Sequence, residues 1–400
     1  MPLYEYTAKN MAGEAISGKY DVPSAEALEE MMGERGYFIV EAREIAAKGG
    51  MALNFARKVG AREMAVFCRQ FSVLLNAGVT IVESIALLKG QTESKRLNRA
   101  ADNISEQLRR GVVLSEAMSA HDDVFEEMFI SMVKVGEASG TIDSIMGRLA
   151  DYYERDNKIK QKIKSAMTYP VILAVLMIAV IILLIVQILP MFSDILGQMG
   201  EGLPLLTEAL IGASDFIVAN FLLILVAIAA LALFFHYFKK SAVGRLWLDG
   251  LKLTLPGIKN VCVKIITARF ARSLSILLKS GVPIANAVDI MKNIIGNRVA
   301  EQRFEICALA IREGRGIAGP LRETNLFPNL LVHMVSVGES SGELDEMLGR
   351  TAGFFDLEVE EAIDRLTVLI EPLMILVLGA VVGVIIISVM LPMISIMTSI

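Results

Sequence analysis

KIKQKIKSAMTYP, residues 158 to 170, runs directly into VILAVLMIAVIILLIVQIL, residues 171 to 189, and Pro190 closes the run. The first part carries Lys158, Lys160, Lys162 and Lys164, whereas the nineteen residues from Val171 to Leu189 carry no charge. At about 1.5 Å per residue, a helix of that length crosses the roughly 30 Å hydrocarbon core of a bilayer and satisfies its own backbone polar groups there. An amphipathic helical pattern beginning near Thr141 feeds this stretch without a break. The design returns from Glu343 through Glu371-Pro372 to Leu391-Pro392, with Pro372 and Pro392 each 202 residues after Pro170 and Pro190. A soluble helical unit that continues into a membrane helix therefore occurs twice.

Composition agrees with this division. Hydrophobic residues make up 54% of the chain and charged residues 21%, so the apolar excess has to be concentrated. A third apolar segment, Phe216 to Phe235, is interrupted only by Asn220, and three transmembrane helices are expected. Met1 to Tyr6 has neither a basic nor an apolar region of the signal-peptide kind, so insertion is expected to rely on the internal helices. The net charge of -5 gives no general attraction to nucleic acid. Cys68, Cys262 and Cys307 all fall in charged segments and read as small buried apolar residues.

Basic residues near membrane ends stay on the cytoplasmic side. Residues 191 to 215 contain Asp194, Glu201, Glu208 and Asp215 but no Lys or Arg, and are expected to face outward. The four lysines before the first span, and Lys239, Lys240, Arg245 and Lys252 after the second, put both large segments in the cytoplasm and the C-terminus outside.

The expected organisation is mainly α. A small N-terminal αβ module covers 1–45, a linker 46–60, a first cytoplasmic helical bundle 61–165 and a transmembrane helix 166–190. An outward-facing loop covers 191–215, a return helix 216–238, a cytoplasmic linker 239–260, a second bundle 261–365 and a third transmembrane helix 366–396. Within the first bundle, Phe67, Phe71, Leu74 and Leu75 form one apolar stripe, Gly78 ends that helix and Thr80 caps the next. The second bundle repeats the first: Phe67, Arg69, Ser72, Leu74, Leu75 and Gly78 recur as Phe270, Arg272, Ser275, Leu277, Leu278 and Gly281. Because each bundle leads out of the cytoplasm, the second can share the first one's side only if the 216–238 helix brings the chain back.

No catalytic constellation emerges. Gly314, Gly316 and Gly319 form a G-x-G-x-x-G, but a helical segment precedes it where a dinucleotide site needs a strand, so it reads as an interhelical loop. There is no phosphate-loop motif, and His121, His236 and His333 lack metal-ligand spacing. No cofactor or metal is expected. The most conspicuous polar motif is a repeated Gly-Glu-x-Ser-Gly, with Gly136, Glu137 and Gly140 matched by Gly338, Glu339 and Gly342. Its glycines suit a tight helix-to-helix turn, and Ser139 or Ser341 can cap the helix that follows. Glu137 and Glu339 are alternatively partners for Arg69 and Arg272, or contributors to a cation site between the units. Glu371 stands at the cytoplasmic mouth of a span, where exposure or a neighbouring chain explains it better than proton conduction.

The chain resembles the type II secretion system F family, which includes the platform proteins of type IV pilus assembly. The resemblance rests on the duplicated bundle, on Lys162-Ile163, Ala166-Met167, Tyr169-Pro170 and Leu189-Pro190, and on both Val-Gly-Glu-x-Ser-Gly turns. Tyr-Pro in the first copy and Glu-Pro in the second, here Tyr169-Pro170 and Glu371-Pro372, also follow the family pattern. It implies a non-enzymatic, homo-oligomeric platform in the bacterial cytoplasmic membrane that couples a hexameric cytoplasmic ATPase to insertion or removal of pilin or pseudopilin subunits, among other inner-membrane components of the machine. The reading from another class is a small transporter or a signalling receptor. Missing intramembrane charges argue against the first, and the missing outer domain against the second.

Overall fold

The computed structural model describes residues 3–10, 15–21, 36–45, 59–188 and 219–399, together with positions 29, 32, 33, 212 and 216. The chain divides into two compact units, Met1–Lys58 and Val59–Ile400.

The first unit contains three strands, β1 Leu3–Asn10, β2 Ala15–Asp21 and β3 Tyr37–Ile45, in an antiparallel sheet of order β2-β1-β3. Tyr4 lies opposite Tyr20 on one side and Glu44 on the other, and a register shift falls between Thr7 and Ala8. Ala8 and Met32 are buried. Most of the helix expected after Pro23-Ser24 lies outside the described residues, as do most of the 46–60 linker and the 191–215 loop.

The second unit is helical. Its first half comprises α1 Ala61–Asn76, α2 Ile81–Leu88, α3 Lys95–Arg109, α4 Leu114–Ser119, α5 Glu127–Ser139 and α6 Ile142–Leu183. A π-helical turn, Leu184–Ile188, extends α6. Then come α7 Phe221–Phe238 and α8 Ala242–Thr254. The second half repeats the first in the same order: α9 Ile258–Lys279, α10 Ile284–Ile294, α11 Arg298–Arg312, α12 Ala318–Glu323, α13 Asn329–Ser341 and α14 Leu344–Ser399.

Punctuation in the two halves follows the sequence. Gly78 and Gly281 both adopt φ +84°, a conformation that glycine enters without a Cβ penalty, and end α1 and α9. Thr80 accepts a hydrogen bond from the Glu83 amide at 3.3 Å, while Pro283 starts α10 without a side-chain cap. The cores also correspond. Phe67 packs against Phe125 with ring centroids 6.2 Å apart, and their equivalents Phe270 and Phe327 are 4.7 Å apart. The buried stripe of α1 is Met64, Phe67, Cys68 and Phe71, so Leu74 and Leu75 sit at its margin, only partly buried. Leu277 is fully buried and Leu278 partly so. Burial of Cys68 pushes its thiol well above the usual range, and burial raises Cys307 to about 12.

Among the described residues, two helices, α6 and α14, are long and apolar enough to cross a membrane. Only 6% of the apolar window in each is buried inside the molecule, which separates them from the core helices of a soluble protein. Both run unbroken through their prolines, Pro170 and Pro372. The apolar helix α7 is shorter, eighteen residues, with Leu222, Leu223 and Phe234 exposed.

Candidate coupling site between the repeats

The Gly-Glu-x-Ser-Gly motifs form the joints from which the two long helices start. Gly140 and Gly342 take φ +70° and +76° and terminate α5 and α13. Gly136 and Gly338 serve close packing: a Cβ on Gly136 would come within 2.8 Å of Ile145 Cγ1, and one on Gly338 within 2.8 Å of the Leu344 Cα. The glutamates reach back to the preceding short helices. Glu137 accepts from the amides of Leu114 and, at 3.0 Å, Ser115, and Glu339 accepts from those of Ile317 and, at 2.9 Å, Ala318. Each carboxylate thus sits on otherwise unpaired N–H groups at the start of α4 or α12, where the helix dipole also favours negative charge. Among the described residues, neither glutamate pairs with an arginine; the backbone amides are their partners. Ser341 accepts from the Glu343 amide at 3.3 Å, whereas Ser139 donates back to the Val135 carbonyl at 2.8 Å and does not cap α6.

Arg69 and Arg272 brace α1 and α9 against the long helices. Arg69 pairs with Asp151 at 2.6 Å and Glu154 at 2.9 Å, and Arg272 pairs with Asp356. Asp356 is the repeat equivalent of Glu154, 202 residues on. The environments differ, since Arg272 and Asp356 are 11% and 12% exposed while the Arg69 cluster lies open to solvent. The first joint is therefore weakly tied, at about 0–1 kcal/mol per exposed pair, while severing the buried one costs roughly 3–5 kcal/mol.

The long helices themselves lie side by side and parallel. Lys158 pairs with Glu360 at 2.7 Å, Lys162 with Asp364 at 2.9 Å, and the Tyr169 hydroxyl donates to Glu371 at 3.4 Å. In each case the partners are equivalent positions of the two copies, separated by 202 residues. Spacings of four and seven along α6 keep all three on one helical face, a seam of the coiled-coil kind. Exposed pairs of this sort add little stability, so their consequence is register: they fix which residue of α14 stands beside which residue of α6 as both enter the apolar segment. Pro170, buried, and Pro372, exposed, follow the last pair directly.

Gly314 and Gly316, at φ +85° and +73°, shape the loop between α11 and α12, and Gly316 leaves room for the Glu339 carboxylate. Among the described residues, no group of three or more His, Cys, Asp or Glu side chains is placed to hold a metal ion.

The sequence offered Glu137 and Glu339 as partners for Arg69 and Arg272, whereas the structure pairs these arginines with Asp151, Glu154 and Asp356, and the seam was not among the sequence expectations. The seam has a signal: shifting by 202 sets Lys158 on Glu360 and Lys162 on Asp364. Copies that had to stay apart would have no reason to become complementary at these positions.

A family model described as type II secretion system (T2SS), protein F, matches residues 67–190 and again 270–392. A second, for the N-terminal domain of type II secretion system protein F, matches residues 1–43. The chain is 37% identical over 401 residues to the type IV pilus assembly protein PilC of Thermus thermophilus, covering 99% of this chain and 98% of the relative. It is 33% identical over 391 residues to PilC of Myxococcus xanthus, covering 98% and 94%. To the type II secretion system protein F of Pseudomonas aeruginosa it is 33% identical over 401 residues, covering 99% and 98%.

Proposed function

The chain belongs to the type II secretion system protein F family, and from that premise we propose that it is the non-enzymatic membrane platform of a pilus-assembly or secretion machine. In this reading it sits in the bacterial cytoplasmic membrane with α6, α7 and α14 as three spans. The N-terminal unit and both helical bundles are cytoplasmic, and the C-terminus is outside. The bundles bind a hexameric cytoplasmic ATPase, and the spans meet pilin or pseudopilin subunits and other inner-membrane components. Copies of the chain associate with one another.

The observation that carries the proposal is mechanical. Each bundle is joined to its apolar segment by one uninterrupted helix, 42 residues in α6 and 56 in α14, and the two are held in register by the charged seam. A displacement or rotation imposed on a bundle reaches the apolar segment without crossing a flexible joint. Pro170 and Pro372 remove one backbone donor each and allow a bend at the membrane entry while the helix continues. A small transporter is the weaker reading, since the apolar stretches carry no Asp, Glu, Lys or Arg beyond Glu371, and that residue already has Tyr169 as a partner.

A flexible Gly-Ser insertion between Tyr153 and Lys158 tests the proposal. The expected result is that ATPase binding persists while surface pili or secreted substrate are lost. Normal assembly by the insertion variant would overturn rigid coupling, and loss of ATPase binding in a folded variant would overturn the assignment of the bundles. Relatives of both kinds match along the chain, so scoring a deletion strain for surface pili and for secreted proteins separates the two roles.

A further inference from the structure

The two bundles do not meet face to face symmetrically. α5 of the first repeat packs on α10 of the second, and α6 packs on α9. Asn293 donates to Glu127 at 2.8 Å, Arg148 to Ser280 at 3.3 Å, and Arg269 meets Asp156 at 3.4 Å. Tyr152 lies in this seam and lines, with Asp156, Arg269 and Asn293, a cavity of about 250 Å³. Among the described residues there is no comparable packing of α13 on α2 or of α14 on α1, which a two-fold arrangement would require. The contact is heterologous: one repeat offers its α5/α6 face and the other its α9/α10 face.

Each repeat carries both kinds of face, and among the described residues one of each is left open. At the position of Tyr152 the second repeat has Phe354, and at that of Val135 it has Val337. At the positions of Arg269, Ser273 and Gly281 the first repeat has Val66, Gln70 and Gly78. Tyr152 is 5% exposed, whereas Phe354 is 46%, Val337 54% and Val66 47% exposed. The repeat's own fold does not bury this position; the neighbouring repeat does. The chemistry also changes in step on the two sides. The closed seam sets a phenol beside a guanidinium, while the open halves offer a phenyl ring and a valine. On the open face of α1, Val66 and Gln70 line a hollow of about 260 Å³ with Arg62, Arg69 and Glu154.

We propose that a second copy of this chain closes both open halves. The α13/α14 face bearing Val337 and Phe354 in one copy docks on the α1/α2 face bearing Val66, Gln70 and Gly78 in the next, repeating between chains the seam within the chain. Equal offsets in the Lys158–Glu360 and Lys162–Asp364 pairs mean that one repeat is related to the other with little rise along the long helices. Docking a second copy on the open bundle faces with the same small rise keeps every apolar helix at one level, as a membrane plane demands, while Glu360 and Asp364 of α14 stay paired with their own α6. The inference deepens the self-association in the reading above and rests on its membrane placement, but not on the ATPase or on pilin.

The test uses the full chain in its membrane, with Cys262→Ser to remove the one partly exposed native thiol. A copy carrying Val66→Cys is co-expressed with a differently tagged copy carrying Phe354→Cys and treated with a short bismaleimide. A band of doubled mass carrying both tags is expected, and neither variant alone should give it. A second pair, Ala77→Cys with Arg350→Cys, reports the same face through the equivalents of Ser280 and Arg148. Absence of the mixed band for both pairs overturns the proposal. So does linkage of Val66→Cys to Phe354→Cys within one doubly substituted chain without a mass increase, or doubled bands from either variant alone. Crosslinking that succeeds while the Gly-Ser insertion variant still assembles pili would keep this interface and remove the rigid-coupling reading.

Discussion

Gly338 shows how a single position constrains the joint. The Cβ it lacks would meet the Leu344 Cα at 2.8 Å, a backbone atom that has no rotamer with which to move aside. At Gly136 the corresponding obstacle is the Ile145 side chain. Gly338→Ala is therefore expected to lower stability by about 1–3 kcal/mol, and Gly136→Ala by less, as read from thermal melts in detergent. Equal, negligible effects would mean that these glycines serve only the turn. The arginines supply a second comparison. Arg272→Ala leaves a buried Asp356 carboxylate unpaired, with an expected loss of roughly 3–5 kcal/mol, while Arg69→Ala in its exposed cluster is expected to cost no more than about 1 kcal/mol. A larger effect at Arg69 would contradict the burial assigned to the two sites. The glycines were legible in sequence because a turn needs glycine whatever surrounds it. The roles of Glu137 and Glu339 were not, because their partners are backbone amides some twenty residues earlier, and backbone leaves no signature in residue type.

At the scale of the helix, α6 and α14 are written by periodicity and by the loss of charge beyond Tyr169 and Glu371, so their existence could be read directly. What pairs with them could not be read from either helix alone. Lys158 and Lys162 read as membrane-flanking lysines, and only the comparison of copies reveals acids at the equivalent places. On α1, helical spacing admits Leu74 and Leu75 to the stripe, and both pack on the core only partly buried, whereas Leu277, the equivalent of Leu74 beside the same kind of turn, is fully buried. Because the seam acts through register, charge is its testable property. Lys158→Glu with Lys162→Glu sets like charges beside Glu360 and Asp364 and is expected to lower crosslinking between cysteines placed at positions 165 and 367 and shift it to unmatched positions. Adding Glu360→Lys and Asp364→Lys should restore it. Failure of the fourfold variant to recover would mean that apolar contacts alone hold the pair.

For the whole molecule, the duplication predicts two bundles of one design, and the order of helices in the second unit follows it. The asymmetry of their packing was not legible, since sequence identity between copies says which faces exist but not which of them meet. The central claim is that two bundles feed one parallel helix pair that enters the membrane in register. Cysteine pairs at matched positions along α6 and α14, oxidised in native membranes, measure this directly. The account predicts high disulfide yield at Ser165 with Thr367, Tyr169 with Glu371 and Leu176 with Leu378. It predicts low yield on the far helix face at Lys164 with Leu366, Met167 with Leu369 and Val171 with Leu373. A uniform yield, or maxima displaced to unmatched positions, would contradict it.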